Sequence, residues 1–160
     1  MHNDIRVAAA AAGYMEADRS LIILPFGAED VSAILSALGD YGVATPSNGT
    51  AGVDTIVSIL TLCTVPNAES VLPSLIRRVL RSPGGTFLFN EHVLSEKDDV
   101  RWWQRAWTPI WSLIYDGCEL HRPTHTWIEN VGGWSKSNVW KHEESEESLF
   151  PHRVGIYVRA

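Results

Sequence analysis

Residues 53–65, VDTIVSILTLCTV, form a near-continuous apolar and β-branched run. That is the pattern of a strand buried on both faces. The run opens after Gly52, carries Asp54, and closes on the small polar residues Thr61, Cys63 and Thr64 before the breaker pair Pro66-Asn67. Residues 68–80 then show helical spacing, Ser82-Pro83-Gly84-Gly85 interrupts it, and residues 86–89 read as a second strand followed by Asn90-Glu91-His92. A strand–helix–strand unit predicts a parallel pair. Small polar residues at the carboxyl end of such a strand lie where open α/β sheets bind ligands, although a core strand without chemistry fits the same pattern.

The remaining segments alternate in the same way. Residues 2–13 read as a helix with Asn3 or Asp4 as cap and Gly13 as stop. Residues 20–25, SLIILP, read as a short buried strand, and residues 31–38 as a helix capped by Asp30. Residues 40–52, rich in Gly, Ser, Thr, Pro and Asn, read as an exposed loop. Residues 98–115 are the longest helical candidate, with aromatics at 103, 107, 111 and 115 on one stripe and Trp102 beside it. Pro109 is expected to kink or split this helix. A turn at Asp116-Gly117-Cys118-Glu119 precedes a short helix over residues 124–131, stopped by Gly132-Gly133. Residues 134–142 and 153–160 alternate as strands, predicting an antiparallel hairpin at the sheet edge.

Composition narrows the function without naming it. At 160 residues the chain suits a single domain with a real core. A net charge of -6, with no basic cluster beyond Arg77, Arg78 and Arg81, argues against a nucleic-acid partner. No segment supplies the roughly 20 apolar residues of a membrane span, and the polar start MHNDIR does not read as a signal peptide. Cys63 and Cys118 match neither a zinc spacing nor a disulfide framework, so free thiols, no metal and a reducing, cytoplasmic setting are expected. Seven tryptophans are the unusual feature, five of them between positions 102 and 127. Such density builds a core, lines an apolar pocket or marks an interface.

From residue 20 onward the chain resembles the C-terminal two-thirds of a class I S-adenosylmethionine-dependent methyltransferase. The resemblance rests on GAED after the first apolar run, on VDTIVSILTLCTV, and on RRVLRSPGGTFLFNEHV. FNEHV, the Trp-rich helix and YDGCELHR are similar to the methyltransferase type 11 branch that includes thiol S-methyltransferase-like proteins. The resemblance implies an α/β, truncated Rossmann-like fold in one domain, with a mostly parallel sheet and a C-terminal antiparallel hairpin. Residues 94–123 would form a Trp-rich helical insert. It also implies S-adenosylmethionine as cofactor and a small apolar thiol or hydroxyl compound as methyl acceptor.

The family's glycine-rich GxGxG loop, and the acidic strand end that follows it, have no counterpart in these 160 residues. Such a chain is expected to need a rearranged sheet, a homodimer or a complementary methyltransferase subunit joined through an exposed strand edge, or else to be a fragment. A degenerate methyltransferase-like protein without cofactor is the competing reading, acting as a binding or partner subunit or as a cofactor-free small-molecule enzyme.

Residue by residue, the resemblance puts Ala28 and Glu29 against the adenine; the competing reading is an acidic pair complementing a helix dipole. It puts Thr61, Leu62 and Cys63 against the methionine part of the cofactor, with core packing as the alternative. Glu91 and His92 fall near the acceptor. There a histidine would take the proton of a thiol or hydroxyl, although a lone histidine is more often structural. Trp103, Trp107, Trp111 and Cys118 are expected to line the acceptor pocket. Asp116, Cys118 and His121 form a second polar cluster, in which Asp116-Gly117 reads as a structural turn.

Overall fold

A computed structural model of the chain describes residues 2–43 and 52–160. The helix α1 spans His2–Ala11 and α2 spans Val31–Asp40; the strand β1 spans Thr55–Ile59, and α3 spans Ala68–Val79. The strand β2 (Thr86–His92), the helices α4 (Asp98–Ile114) and α5 (Thr124–Asn130), and the strands β3 (Trp134–Lys141) and β4 (His152–Arg159) complete the order. The four strands form one sheet in the order β1-β2-β4-β3.

β1 and β2 pair in parallel, with Thr55 opposite Thr86 and Ile59 opposite Asn90, as the strand–helix–strand pattern predicts. β4 runs antiparallel to both β2 and β3, so the C-terminal hairpin forms and β3 takes the edge. The sheet is therefore not mostly parallel: one of its three pairings is parallel. Gly155 on β4 lies opposite Phe89, and a Cβ there would run into the Phe89 ring.

Helix α3 presents Ala68, Leu72, Ile76 and Val79 to the sheet at the spacing of one helical face. Leu72 and Ile76 join Leu62, Leu80, Phe87, Phe89, Ile128, Val131 and Tyr157 in the core. Burial of each such large aliphatic side chain stabilises by about 1.5–3 kcal/mol. The other face of β1 stays open, with Val57 and Ile59 each 59% exposed. The expectation of a strand buried on both faces does not hold, because no described helix covers that side.

Residues 20–25 do not form a strand. A strand needs a neighbour for its N–H and C=O groups, and no described strand lies beside this segment. The regular strand after Gly52 is also shorter than the apolar run, with Val53 reaching Leu80 only as an isolated bridge. Asp30 caps α2 as expected, accepting from the Ala33 N–H at 2.9 Å. Asn3 and Asp4 do not cap α1 from outside, since both lie inside its first turn. Pro109 leaves α4 a single helix. Of the loop expected over residues 40–52, positions 44–51 lie outside the described residues.

Candidate functional site

The chain turns sharply where β1 ends. Leu60 adopts the left-handed conformation at φ 49°, a strained state for a bulky residue. Its N–H still donates to Asn90 O at 2.9 Å, continuing the parallel ladder for one residue. Thr61 then doubles back, with its hydroxyl donating to Ile59 O at 2.9 Å. Strain of this kind persists only where neighbours hold it, and two buried charged side chains do so here.

The first is Glu91, on β2 and fully buried. Its carboxylate accepts from Ser58 Oγ at 2.7 Å, from the Thr61 N–H at 3.0 and 3.1 Å, and from the Leu62 N–H at 3.2 Å. The second is Arg122, in the turn before α5. Its guanidinium donates to Leu62 O at 2.8 Å and Val65 O at 2.6 Å, while its Nε donates to Glu119 at 2.9 Å. A carboxylate takes the turn's N–H groups and a guanidinium takes its carbonyls, so the turn is clamped from both polar sides. Burial pushes the Glu91 carboxyl above the usual range, and the donors of Thr61, Ser58 and Leu62 pull it back.

Behind this clamp, Cys63, His92 and Cys118 converge. Their side-chain donor atoms all lie within 4.8 Å of one another, and His92 Nε2 stands 3.1 Å from Cys118 Sγ. The Glu119 N–H donates to Cys63 O at 3.0 Å, joining the two cysteine-bearing turns through the backbone. Burial pushes the Cys63 thiol well up, with Cys118 and the Glu91 charge adding to it. His92 is pushed down to about 4, chiefly by burial and then by the charges of His152 and Arg122. It is neutral at pH 7.

The structure thus gathers Thr61, Leu62, Cys63, Glu91, His92 and Cys118. Leu62 and Cys63 point into the core, leaving Leu60 at 50% exposure and the exposed Thr61 as the outward surface of the turn. Ala28 and Glu29 lie just before α2, Ala28 half-buried and Glu29 exposed. Trp103 and Trp107 are 50% and 44% exposed, on the outer side of α4. Trp111 is part-buried, packing on Tyr115 and Phe150 at ring distances of 4.0 and 4.7 Å. A groove of about 470 Å³ beside the clamp is lined instead by Asn67, Glu69, Ser70, Glu119, Arg122 and Trp127. Ser58 and Arg122 were not legible as site residues, since Arg122 meets its carbonyl partner Leu62 across 60 positions of chain.

A parallel strand pair joined by a helix, flanked by an antiparallel return strand, with a held turn at the parallel strands' carboxyl ends, has relatives in sequence and in fold. Human thiol S-methyltransferase TMT1A is 38% identical over 110 residues, covering 67% of this chain and 44% of that protein. Human thiol S-methyltransferase TMT1B is 42% identical over 80 residues, covering 49% of this chain and 32% of that protein. The chain thus spans less than half the length of these curated relatives. An O-methyltransferase family protein from Burkholderia thailandensis shares the fold at TM-score 0.60 over 99% of this chain and 41% of its own, with 15% identity. No protein-family model matches the chain.

The chain thus resembles the class I S-adenosylmethionine-dependent methyltransferases in sequence and in fold. Within that class, the curated proteins it matches are thiol S-methyltransferases.

The family's cofactor is S-adenosylmethionine. Leu60 and Thr61 form the exposed outer surface of the turn. The Thr61 and Leu62 N–H groups are taken by Glu91, and the sequence has no GxGxG loop. Among the described residues no helix is long and apolar enough to cross a membrane.

Proposed function

We propose that this chain carries the methyl-transfer side of a methyltransferase site and acts on a small apolar thiol. The observation that carries this is the strained turn at Leu60-Thr61. It lies at the carboxyl end of a parallel strand, where such sheets bind ligands, and is held by two buried charges. When bound, S-adenosylmethionine supplies a sulfonium methyl group to a nucleophile by in-line displacement. The chain's own contribution is positional. Glu91 and Arg122 hold the turn rigid, Leu60 and Thr61 present its outward surface, and Leu62 and Cys63 anchor it in the core. Ala28 and Glu29 are assigned to the adenine. Buried against Cys118, His92 supports the turn from behind rather than facing solvent as a base.

The thiol acceptor is favoured over a hydroxyl by the 38–42% identity to thiol S-methyltransferases. Incubation with methyl-labelled S-adenosylmethionine and a short alkyl thiol, followed by mass spectrometry, tests the reading. The labelled thioether is expected to form slowly, and to disappear when Thr61→Trp fills the turn's outer surface. Label on an alcohol but not a thiol would reverse the acceptor assignment, and no label on either would refute the activity.

A second reading has its own observation. The outer edge of β1 has no described strand beside it, and Val57 and Ile59 are exposed next to that edge. This favours a partner subunit or a second copy that completes the sheet.

A further inference from the structure

Beyond supporting the turn, the Cys63–His92–Cys118 cluster has no chemical role in the function proposed above. Its three members come from separate segments: the turn after β1, the last residue of β2, and the turn after α4. All three are buried, at 2%, 5% and 8% exposure, and their donor atoms lie within 4.8 Å of one another. Two sulfurs and one imidazole nitrogen form a soft donor set, suited to thiophilic cations and poorly suited to magnesium or calcium.

We propose that Cys63, His92 and Cys118 form a binding site for a thiophilic divalent cation, Zn²⁺. Around tetrahedral zinc, with Zn–S of about 2.3 Å and Zn–N of about 2.0 Å, donor atoms stand roughly 3.5–3.8 Å apart. The existing separations, 3.1 Å for His92–Cys118 and at most 4.8 Å elsewhere, meet this with movements of about 1 Å.

Both cysteine-bearing turns are already fixed. The Glu119 N–H to Cys63 O bond ties them together, Arg122 holds the carbonyls on either side of Cys63, and the Cys118 N–H donates to Tyr115 O at 2.9 Å. The ordering entropy of bringing three distant segments together is therefore met by the fold before the cation arrives. Zn²⁺ would exchange for the two thiol protons, which pass to the buffer. Two thiolates then balance the divalent charge, while Arg122 and Glu91 nearby offset each other. Three protein ligands leave a fourth position for a water molecule.

The test uses the full 160-residue chain, reduced and folded by circular dichroism, with Co²⁺ as a spectroscopic stand-in and Zn²⁺ as competitor. The expected result is a thiolate-to-cobalt charge-transfer band that saturates at one equivalent. Zn²⁺ should displace it and raise the melting temperature by several degrees. Cys63→Ser and Cys118→Ser should each lose stoichiometric binding, and His92→Gln should weaken it at least tenfold. Absence of the band in the folded wild-type chain at excess Co²⁺ overturns the proposal without any variant. So does a band of unchanged intensity and affinity in both serine variants. Recovery of Cys63 and Cys118 as a disulfide that takes up no metal after reduction would replace the cation site with a dithiol pair.

Discussion

Glu91 shows why residue identity alone understates a role. From sequence it stands near the acceptor, as one of three polar residues following an apolar run. In the structure it is fully buried and spends its oxygens on the hydroxyl of Ser58 and the N–H groups of Thr61 and Leu62. Those donors are unpaired without it, and a buried donor left unsatisfied costs about 1–3 kcal/mol. Glu91→Gln, which keeps the shape but turns an amide NH₂ toward one set of N–H donors, should therefore destabilise the chain by roughly 1–3 kcal/mol in urea unfolding. Ser58→Ala should cost about 1 kcal/mol and should cost much less in the Glu91→Gln background. Full additivity of the two would mean that the carboxylate does not hold the turn. The contact was unreadable in advance because Ser58 and Glu91 are 33 positions apart and meet only through strand register.

Helix α4 carries the corresponding lesson for elements. Its existence and length are legible in the spacing, and the structure ends it within one residue of the expected boundary. Its inward face is not. Aromatics at intervals of four share a stripe, but spacing does not say which stripe its neighbours cover. Here Val100, Gln104 and Thr108 are buried, while Trp102 and Trp103 remain 60% and 50% exposed and pack edge-on against each other. Gln104 wins the inside by bonding backbone: its amide donates to Val93 O and Leu149 O, and its carbonyl accepts from the Ser95 N–H. Gln104→Leu should cost about 1–3 kcal/mol in urea unfolding, because three buried backbone groups lose their partner. Trp102→Ser should change stability by no more than about 0.5 kcal/mol. The reverse ranking would put the aromatic stripe in the core after all. Pro109 does not split α4, which continues through it as one helix.

Taken whole, the parallel pair, the terminal hairpin and most helices follow from periodicity and breakers. The strand expected over residues 20–25 does not form, and β1 is open on one face and along one edge. Both differences have one cause: a strand is defined by its neighbours, and apolar content alone cannot supply them. The convergence of Cys63 with Cys118 was equally hidden, because two turns 55 positions apart are joined only by the folded sheet and the Glu119–Cys63 backbone bond. What sequence and structure share is the turn at Thr61. The central claim, that this turn meets S-adenosylmethionine, is tested most directly by titrating the folded chain with S-adenosylmethionine in a calorimeter. The account predicts saturable heat at one site, weakened at least tenfold by Thr61→Trp with secondary structure intact. No saturable heat from the folded wild-type chain would contradict it, and so would equal binding by the variant.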